Sequence, residues 1–433
     1  MPNSDQAKKA ALGAFIGTTI EFYDFYIYAT AAALVLGHVF FPAEDPLVST
    51  LAAFASFAVG FIARPLAGVV FGHLGDKLGR RKMLLFTMML MGLATTAIGL
   101  IPGYDKIGIW APILLVTFRI VQGISVGGEW GGAVLMASEH APHGRKTFFA
   151  SFAQLGSPAG LLLSLIAFRL VSMLDQEAFL SWGWRLPFLA SGVLMMVGLF
   201  IRMRVDESPE FETLKAKREL ADNPVIDVLK NYFPHIFFSA IAVTIGSAGF
   251  FFTNIFMITY VTQYIGIAKS TILDCLFVVT IIQLISQPVS ALLANKIGEG
   301  RFLKIAAALC LITPYPMFML VDTKNLPLMT LGIAVAVVIL SALYAVVAGY
   351  MVSVFPTRLR YSGISISYQL ICAIAGGTTP LIGTVIAKNY AGQWLPLALF
   401  FSILSALSLL GVIGLSRLKD PTSASEAELL ESK

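Results

Sequence analysis

Apolar runs of membrane length alternate with short polar connections along nearly the whole chain. A helix needs ~20 apolar residues to cross the hydrocarbon core of a bilayer. Runs of that kind cover residues 12–37, 48–73, 83–101, 109–138, 147–173 and 184–203, and then 233–264, 271–295, 302–321, 327–354, 362–388 and 393–416. Twelve spans are therefore expected. The longest polar stretch, 204–232, divides them six and six. The pattern predicts an all-α membrane protein with an N-terminal six-helix bundle (1–203), a cytoplasmic linker (204–232), a C-terminal six-helix bundle (233–416) and a short tail (417–433).

Composition agrees with this pattern. The 433 residues are 57% hydrophobic and 13% charged, with a mean hydropathy of +0.81. Globular domains run nearer 45–50% apolar and about a quarter charged, so the surplus apolar surface belongs against lipid. The MPNSDQAKK start carries no cleavage site, and the first apolar run is too long for a signal peptide, so it is expected to be a retained span.

Lys and Arg set the orientation, because short basic loops stay on the cytoplasmic side. With both termini cytoplasmic, 22 of the 30 Lys and Arg fall on the inner side, 6 on the outer side, and Arg64 and Arg119 within spans. The net charge of +5 thus reflects loops dispersed between spans, not a nucleic-acid surface. No metal-ligand spacing joins the three cysteines, and the five histidines are scattered. No metal, cofactor or enzymatic nucleophile–base pair is expected. The expected partners are a small-molecule metabolite, protons and the lipid bilayer, and the expected unit is a monomer.

Two features repeat across the halves. Gly75-Asp76-Lys77-Leu78-Gly79 after span 2 resembles Ala294-Asn295-Lys296-Ile297-Gly298 after span 8, and Pro142-His143-Gly144-Arg145 after span 4 resembles Pro356-Thr357-Arg358 after span 10. Repeated halves around a central site are the architecture of alternating-access transporters.

Charges inside the spans point to that site. Glu21, Asp24, Arg64, Arg119 and Glu129 each cost several kcal/mol if they face lipid, so each is expected to face the bundle interior. Glu21, Asp24 and Tyr28, at i, i+3 and i+7, share one helical face, and Arg119, Gln122, Val126 and Glu129 form a stripe on span 4. At about 1.5 Å per residue, Asp24 and Arg119 reach the same depth near the midplane. A carboxylate beside an arginine offers proton–substrate coupling, because an arriving anion that competes for the arginine frees the carboxylate to take a proton. Static ion pairs holding spans 1, 2 and 4 together are the competing reading. In the second half the interior polar groups are neutral, among them Asn254, Tyr344, Tyr368 and Gln369. Proton handling is therefore expected at Asp24, Glu21, Arg119 and Glu129, and substrate binding at Arg64, Arg119, Tyr28, Gln122, Asn254, Tyr344, Tyr368 and Gln369. The run Gly127-Gly128-Glu129-Trp130-Gly131-Gly132 lies inside a span with no strand before it, so it is a close-packing surface and not a phosphate loop.

Taken together these residues resemble the major facilitator superfamily (MFS). Gly75 to Lys82 is similar to its loop 2–3 signature, Arg119-Ile120-Val121-Gln122-Gly123 to its span 4 signature, and Glu207-Ser208-Pro209 to a segment after span 6. Within it, Glu21-Phe22-Tyr23-Asp24-Phe25, Phe61-Ile62-Ala63-Arg64-Pro65 and Trp182-Gly183-Trp184-Arg185-Leu186-Pro187 resemble the metabolite:proton symporter family, whose members carry shikimate, α-ketoglutarate, citrate or proline/betaine. Residues 179–189 and Arg360-Tyr361-Ser362-Gly363 lean to the shikimate-like branch. The resemblance implies the MFS fold in a cell inner membrane. It also implies an inner gate of Asp76 and Arg80 with Glu139, to which Gly75, Gly79, Arg81, Arg145 and Arg358 are added as gating residues. One departure is Asn295 where an aspartate is usual and Gly298-Glu299-Gly300 where a basic pair is usual, which implies a weaker second half of that gate.

The resulting expectation is a secondary transporter importing a small organic acid by proton symport. The rival within the fold is uptake of a zwitterion such as betaine or proline, with aromatic faces holding a quaternary ammonium. A drug exporter and a membrane sensor fit less well, since the interior arginines suit anions and no signalling domain is attached.

Overall fold

In the computed structural model, the described residues are 4–43, 46–142 and 144–418. The tail beyond 418 and His143 lie outside them. Among the described residues, eleven helices are long and apolar enough to cross a bilayer, and a pair bent by 46°, Asp5–Ala31 with Leu34–Phe40, completes the expected twelve. Span 1 is that pair. Spans 2 to 6 are Pro46–Leu78, Arg80–Leu100, Trp110–Glu139, Lys146–Val171 and Arg185–Arg202. Spans 7 to 12 are Phe233–Ile265, Thr271–Ile297, Glu299–Asp322, Leu326–Val354, Thr357–Asn389 and Trp394–Leu415.

The expected boundaries hold to within a few residues at most ends. The larger differences are at the basic end of the bundle, where the Gly75–Lys82 loop lies. Span 2 continues to Leu78 and span 3 starts at Arg80, so the signature is mostly helix with a break at Gly79, whose φ of +107° only glycine adopts without strain. Gly298 repeats the break between spans 8 and 9, with φ +97°. The polar linker is also partly helical, over Pro209–Lys217 and Pro224–Asn231. Ser208 caps the first of these, accepting from the Phe211 amide at 3.2 Å.

Within the first six spans, span 1 packs on span 5, span 4 on spans 2 and 3, and span 3 on span 6; within the last six, span 7 packs on span 12 and span 8 on span 10. Contacts between the two sets run through span 2 with 11, span 5 with 8 and 10, and span 4 with 10 and 11. Small residues make the span 2–11 crossing possible. A Cβ on Gly72 would lie 2.7 Å from Ser362 Cα, and one on Gly68 would lie 3.1 Å from the Ser365 carbonyl oxygen. Lipid tails are as apolar as leucine, so close backbone approach and interhelical hydrogen bonds carry the association. Three interior spans contain a π-helical turn: Ala32–Leu36 in span 1, Phe252–Phe256 in span 7 and Cys372–Gly376 in span 11. Such turns are frequent at functional sites.

Gly72→Ala is expected to push spans 2 and 11 apart and to cost about 1–3 kcal/mol of stability, the range for overpacking a close contact. Gly300→Ala, whose Cβ meets nothing nearer than 3.8 Å, is the matched control. Thermal unfolding of the two variants in detergent checks this; equal midpoints contradict the crossing as a stability determinant.

Candidate functional site

The interior charges converge on a ring of aromatic side chains. Arg119 lies 4.4 Å from the Tyr28 ring, 4.6 Å from Phe57 and 5.5 Å from Phe25. Arg64 lies 4.3 Å from Phe61 and 5.1 Å from the same Phe25 ring. Neither arginine has a carboxylate within ion-pair distance among the described residues, although Arg119 is only 2% exposed. Arg64 Nε has no hydrogen-bond partner. Cation–π contact holds both guanidinium groups in place without cancelling their charge. Phe25, Tyr26, Phe61, Phe250 and Phe251 form one buried cluster joining spans 1, 2 and 7.

Asp24 and Arg119 do not touch. They are joined through two uncharged residues: Thr95 Oγ1 donates to Asp24 Oδ2 at 2.8 Å, Gln122 Nε2 donates to Thr95 Oγ1 at 2.7 Å, and Arg119 Nη1 donates to Gln122 Oε1 at 3.0 Å. The expected meeting is thus indirect, because Arg119 is drawn onto the rings of spans 1 and 2. Asp24 is fully buried and its Oδ1 has no partner. Tyr28 shares a 2.6 Å hydrogen bond with Ser56. Thr95 was not singled out in the sequence; a lone threonine in an apolar span carries no signal there.

Glu21 and Glu129 flank a cavity of about 10 Å³ lined also by Thr87, Met91 and Ser125. Glu21 Oε2 has no hydrogen-bond partner. Glu129 is held by both Nη atoms of Arg202 and accepts from Thr87 at 2.8 Å. Arg202 is the last residue of span 6 and is 4% exposed, turned back into the first bundle.

From the second half, Tyr368 and Cys372 come within electrostatic reach of Arg64, as do Glu21 and Tyr26 from the first. Tyr344 and Tyr368 share a 2.6 Å hydrogen bond between hydroxyls. Asn254 donates to its own helix, at Phe250 O, 3.0 Å away. Gln369 donates to Val126 O at 2.9 Å, tying span 11 to span 4.

At the basic end an ion-pair cluster crosses between the two sets of spans. Arg80 lies 3.4 Å from Asp76 and 3.5 Å from Glu139 and donates to Thr357 O at 2.9 Å. Asp76 accepts from the Tyr361 and Ser362 amides at 3.2 and 2.9 Å, where the amides of the first turns of span 11 favour an anion. Gly75 lies under the Tyr361 ring, and a Cβ there would meet it. Glu207 accepts from the Arg80 and Arg81 amides at 3.0 and 3.2 Å, and Ser208 donates to Glu139. The cation from the last six spans is Arg360, 3.0 Å from Glu139 and 2.5 Å from Glu210. Arg358 is instead half exposed, 3.8 Å from Asp227, and Arg145 is exposed. Repeat spacing pointed to Arg358; the residue that reaches the cluster stands two positions later, on the helix face turned inward. Lys146 pairs with Glu210 at 2.6 Å.

The loop copy carries no ion pair among the described residues. Glu299 accepts from Thr147, and Asn295 lines a 390 Å³ cavity with Lys146, Thr147, Glu299 and Arg360.

The sequence profile of the Major Facilitator Superfamily matches residues 14–378. The chain is 39% identical to the shikimate transporter of Escherichia coli (strain K12) over 400 residues, 91% of each chain. It is 33% identical to the proline/betaine transporter of the same organism over 413 residues, covering 93% of this chain and 82% of that one. Among solved structures it resembles the MFS proton:xylose symporter XylE bound to 6-bromo-6-deoxy-D-glucose, with a TM-score of 0.77 at 17% identity over 95% of both chains.

Burial alone would push the Glu210 carboxyl up, but Arg360 and Lys146 outweigh it and hold it down at about 2, against an ordinary 4.5. A lowered value means that the charged form contributes to the clustered arrangement fully above about 4.5 and is lost only as pH falls through about 2. Labelling of a cysteine placed at Ser353, beside the 390 Å³ cavity, is therefore expected not to change between pH 5 and 8 on account of Glu210, while Glu210→Gln raises it throughout. A pH-dependent rise that Glu210→Gln abolishes contradicts this.

Proposed function

Because the chain belongs to the Major Facilitator Superfamily, and is a multi-pass inner-membrane transporter of metabolites and not an enzyme, we propose that it imports a small organic acid together with protons. The observation that carries this is the pair Arg64 and Arg119: two guanidinium groups on one phenylalanine ring, Arg119 buried and Arg64 partly buried, with no carboxylate at ion-pair distance among the described residues. A buried charge without a partner is expensive, and an anion arriving between them supplies what the protein leaves out. A planar carboxylate suits the guanidinium fork, which donates two parallel hydrogen bonds. Glu21, Tyr26, Tyr344 and Tyr368 surround Arg64 and are proposed to contact the rest of the substrate.

The Thr95–Gln122 relay supports coupling. In this arrangement Arg119 reaches Asp24 through three hydrogen bonds, by way of Gln122 and Thr95. A carboxylate that takes Arg119 from Gln122 lets that chain reorient, and Asp24 then holds the proton with its unpartnered Oδ1. Glu21 and Glu129 are proposed as further carboxyls on the proton's route. Neutral interior groups in the last six spans support assigning proton handling to the first six.

The proposed cycle uses two rocking units, 1–203 and 233–416, in a monomer, with the linker 204–232 and tail 417–433 on the cytoplasmic side. The charge bias supports this orientation. Asp76, Arg80, Glu139, Glu210 and Arg360 then close the cytoplasmic gate, and the loop copy, with Asn295 in the aspartate position and no ion pair among the described residues, supports a one-sided ionic latch. Uptake of a zwitterion is the second reading, favoured by the aromatic side chains of the site; its drawback is that Arg64 and Arg119 already lie on four of those rings, Phe25, Tyr28, Phe57 and Phe61, and would repel an ammonium.

Asp24→Asn is expected to abolish proton-driven accumulation in proteoliposomes while counterflow exchange persists; undiminished uphill uptake overturns the role. In a binding screen over shikimate, dicarboxylates, aromatic acids and betaines, Arg64→Gln is expected to weaken the best carboxylate at least about 10-fold, equivalent to about 1.4 kcal/mol. A preferred ligand whose affinity survives that change, or a betaine as the preferred ligand, contradicts the organic-acid reading.

A further inference from the structure

Trp130 lies in the glycine-rich stretch of span 4, which close packing alone does not explain. Its indole ring stacks on Tyr368 of span 11, with ring centroids 3.5 Å apart and planes 8° from parallel. The indole Nε1–H donates to Gln154 Oε1 of span 5 at 2.8 Å, and Gln154 Nε2 donates to the Tyr344 backbone oxygen of span 10 at 3.0 Å. Tyr344 and Tyr368 close the ring through their 2.6 Å hydroxyl contact. Trp130 is 1% exposed, Gln154 1%, Tyr344 7% and Tyr368 6%. The result is a cyclic set of contacts, two residues from the first six spans and two from the last six, in which every polar group that crosses has its partner.

Its place along the pathway is fixed by its neighbours. Tyr344 and Tyr368 lie within electrostatic reach of Arg64. Seven and six residues nearer the basic end of the same helix, Tyr361 and Ser362 donate to Asp76 in the ion-pair cluster. The ring of contacts therefore sits between the arginine site and the ionic latch.

We propose that Trp130 and Gln154, with Tyr344 and Tyr368, form an inner gate that occludes the substrate site and is released by the substrate itself. This rests on the reading of Arg64 as an anion site. The two tyrosine hydroxyls have one hydrogen each, and one is spent on the contact between them. An anion at Arg64 that takes both hydrogens leaves none for that contact. The ring then opens at its polar link, and span 11 is free to leave Trp130. The gate thereby selects for substrates with a second acceptor beside the carboxylate. A molecule offering a single acceptor binds Arg64 but leaves the hydroxyl pair intact. Trp130 and Gln154 are positioning residues in this scheme: they hold the two tyrosines and need not touch the substrate.

Accessibility of a buried reporter between the two gates tests this. Ser365, 1% exposed and one turn below Tyr368, is replaced by Cys in a chain with Cys275, Cys310 and Cys372 changed to Ser. Labelling by an impermeant maleimide is followed in inside-out vesicles. Without substrate, Gln154→Leu and Trp130→Leu are each expected to speed labelling about five-fold, the change expected from losing one hydrogen bond, and Trp130→Phe by less. Shikimate, the probe, is expected to speed labelling of the parent but not of Tyr368→Phe, whose hydroxyl link is already gone. A second reporter at Ser405, buried among spans 9 and 12, controls for general loosening. Unchanged labelling in both Leu variants overturns the gate, and so does an equal rise at Ser405. If shikimate leaves the parent unchanged while the substrate-free differences remain, the occluding ring stands and its release by this acid is overturned, while the organic-acid reading is judged by the binding screen.

Discussion

A charge buried in a membrane protein must be met by something, and two of those described in this chain are met by aromatic rings and neutral acceptors with no carboxylate at ion-pair distance among the described residues. Arg64 and Arg119 hold their place against Phe25, Phe57, Phe61 and Tyr28. By contrast, Arg80, Arg202 and Arg360 have carboxylate partners. That division sorts the arginines. The paired ones join helices or close an end of the bundle, and the unpaired ones leave a positive centre where the two sets of spans face each other. The Asp24–Thr95–Gln122–Arg119 chain and the Tyr344–Tyr368 link are arranged around that centre. Each would respond to the arrival of an anion.

Two proposed closures then lie in series on one side of the centre. The nearer is a neutral ring of aromatic and amide groups. The farther is ionic, and the linker contributes Glu207, Ser208 and Glu210 to it. Among the described residues, the second copy of the loop contributes the Glu299–Thr147 hydrogen bond and no ion pair. Arg360 and Lys146 keep Glu210 charged across the physiological range, so its share of the ionic closure does not follow the proton gradient that is proposed to drive transport. Proton sensing is proposed for the carboxyls of spans 1 and 4, and mechanical latching for the basic end.

Much of this was legible in the sequence for simple reasons. Hydrocarbon thickness fixes span length, so twelve spans and their approximate ends follow from apolar runs, and buried charge is rare enough that Glu21, Asp24, Arg64, Arg119 and Glu129 stand out. Uncharged partners do not stand out. Thr95, Gln154 and Trp130 look like ordinary packing residues until the fold places them against tyrosines and carboxyls from other spans. Arg202 and Arg360 were hidden differently. They sit at helix ends where a basic residue normally faces the cytoplasm, and only the direction of the side chain shows that they turn inward. Helix rise implies similar depth for Asp24 and Arg119, but depth along an axis does not reveal that two neutral residues stand between them.

The central claim is that a carboxylate and a proton cross together through the arginine centre. Proteoliposomes with a pH dye in the external medium test it directly when shikimate, then each of the other acids, is added without an imposed gradient. The account predicts external alkalinisation that accompanies uptake of the accepted acid and is absent for protein carrying Asp24→Asn. Uptake of that acid with no movement of protons would contradict it.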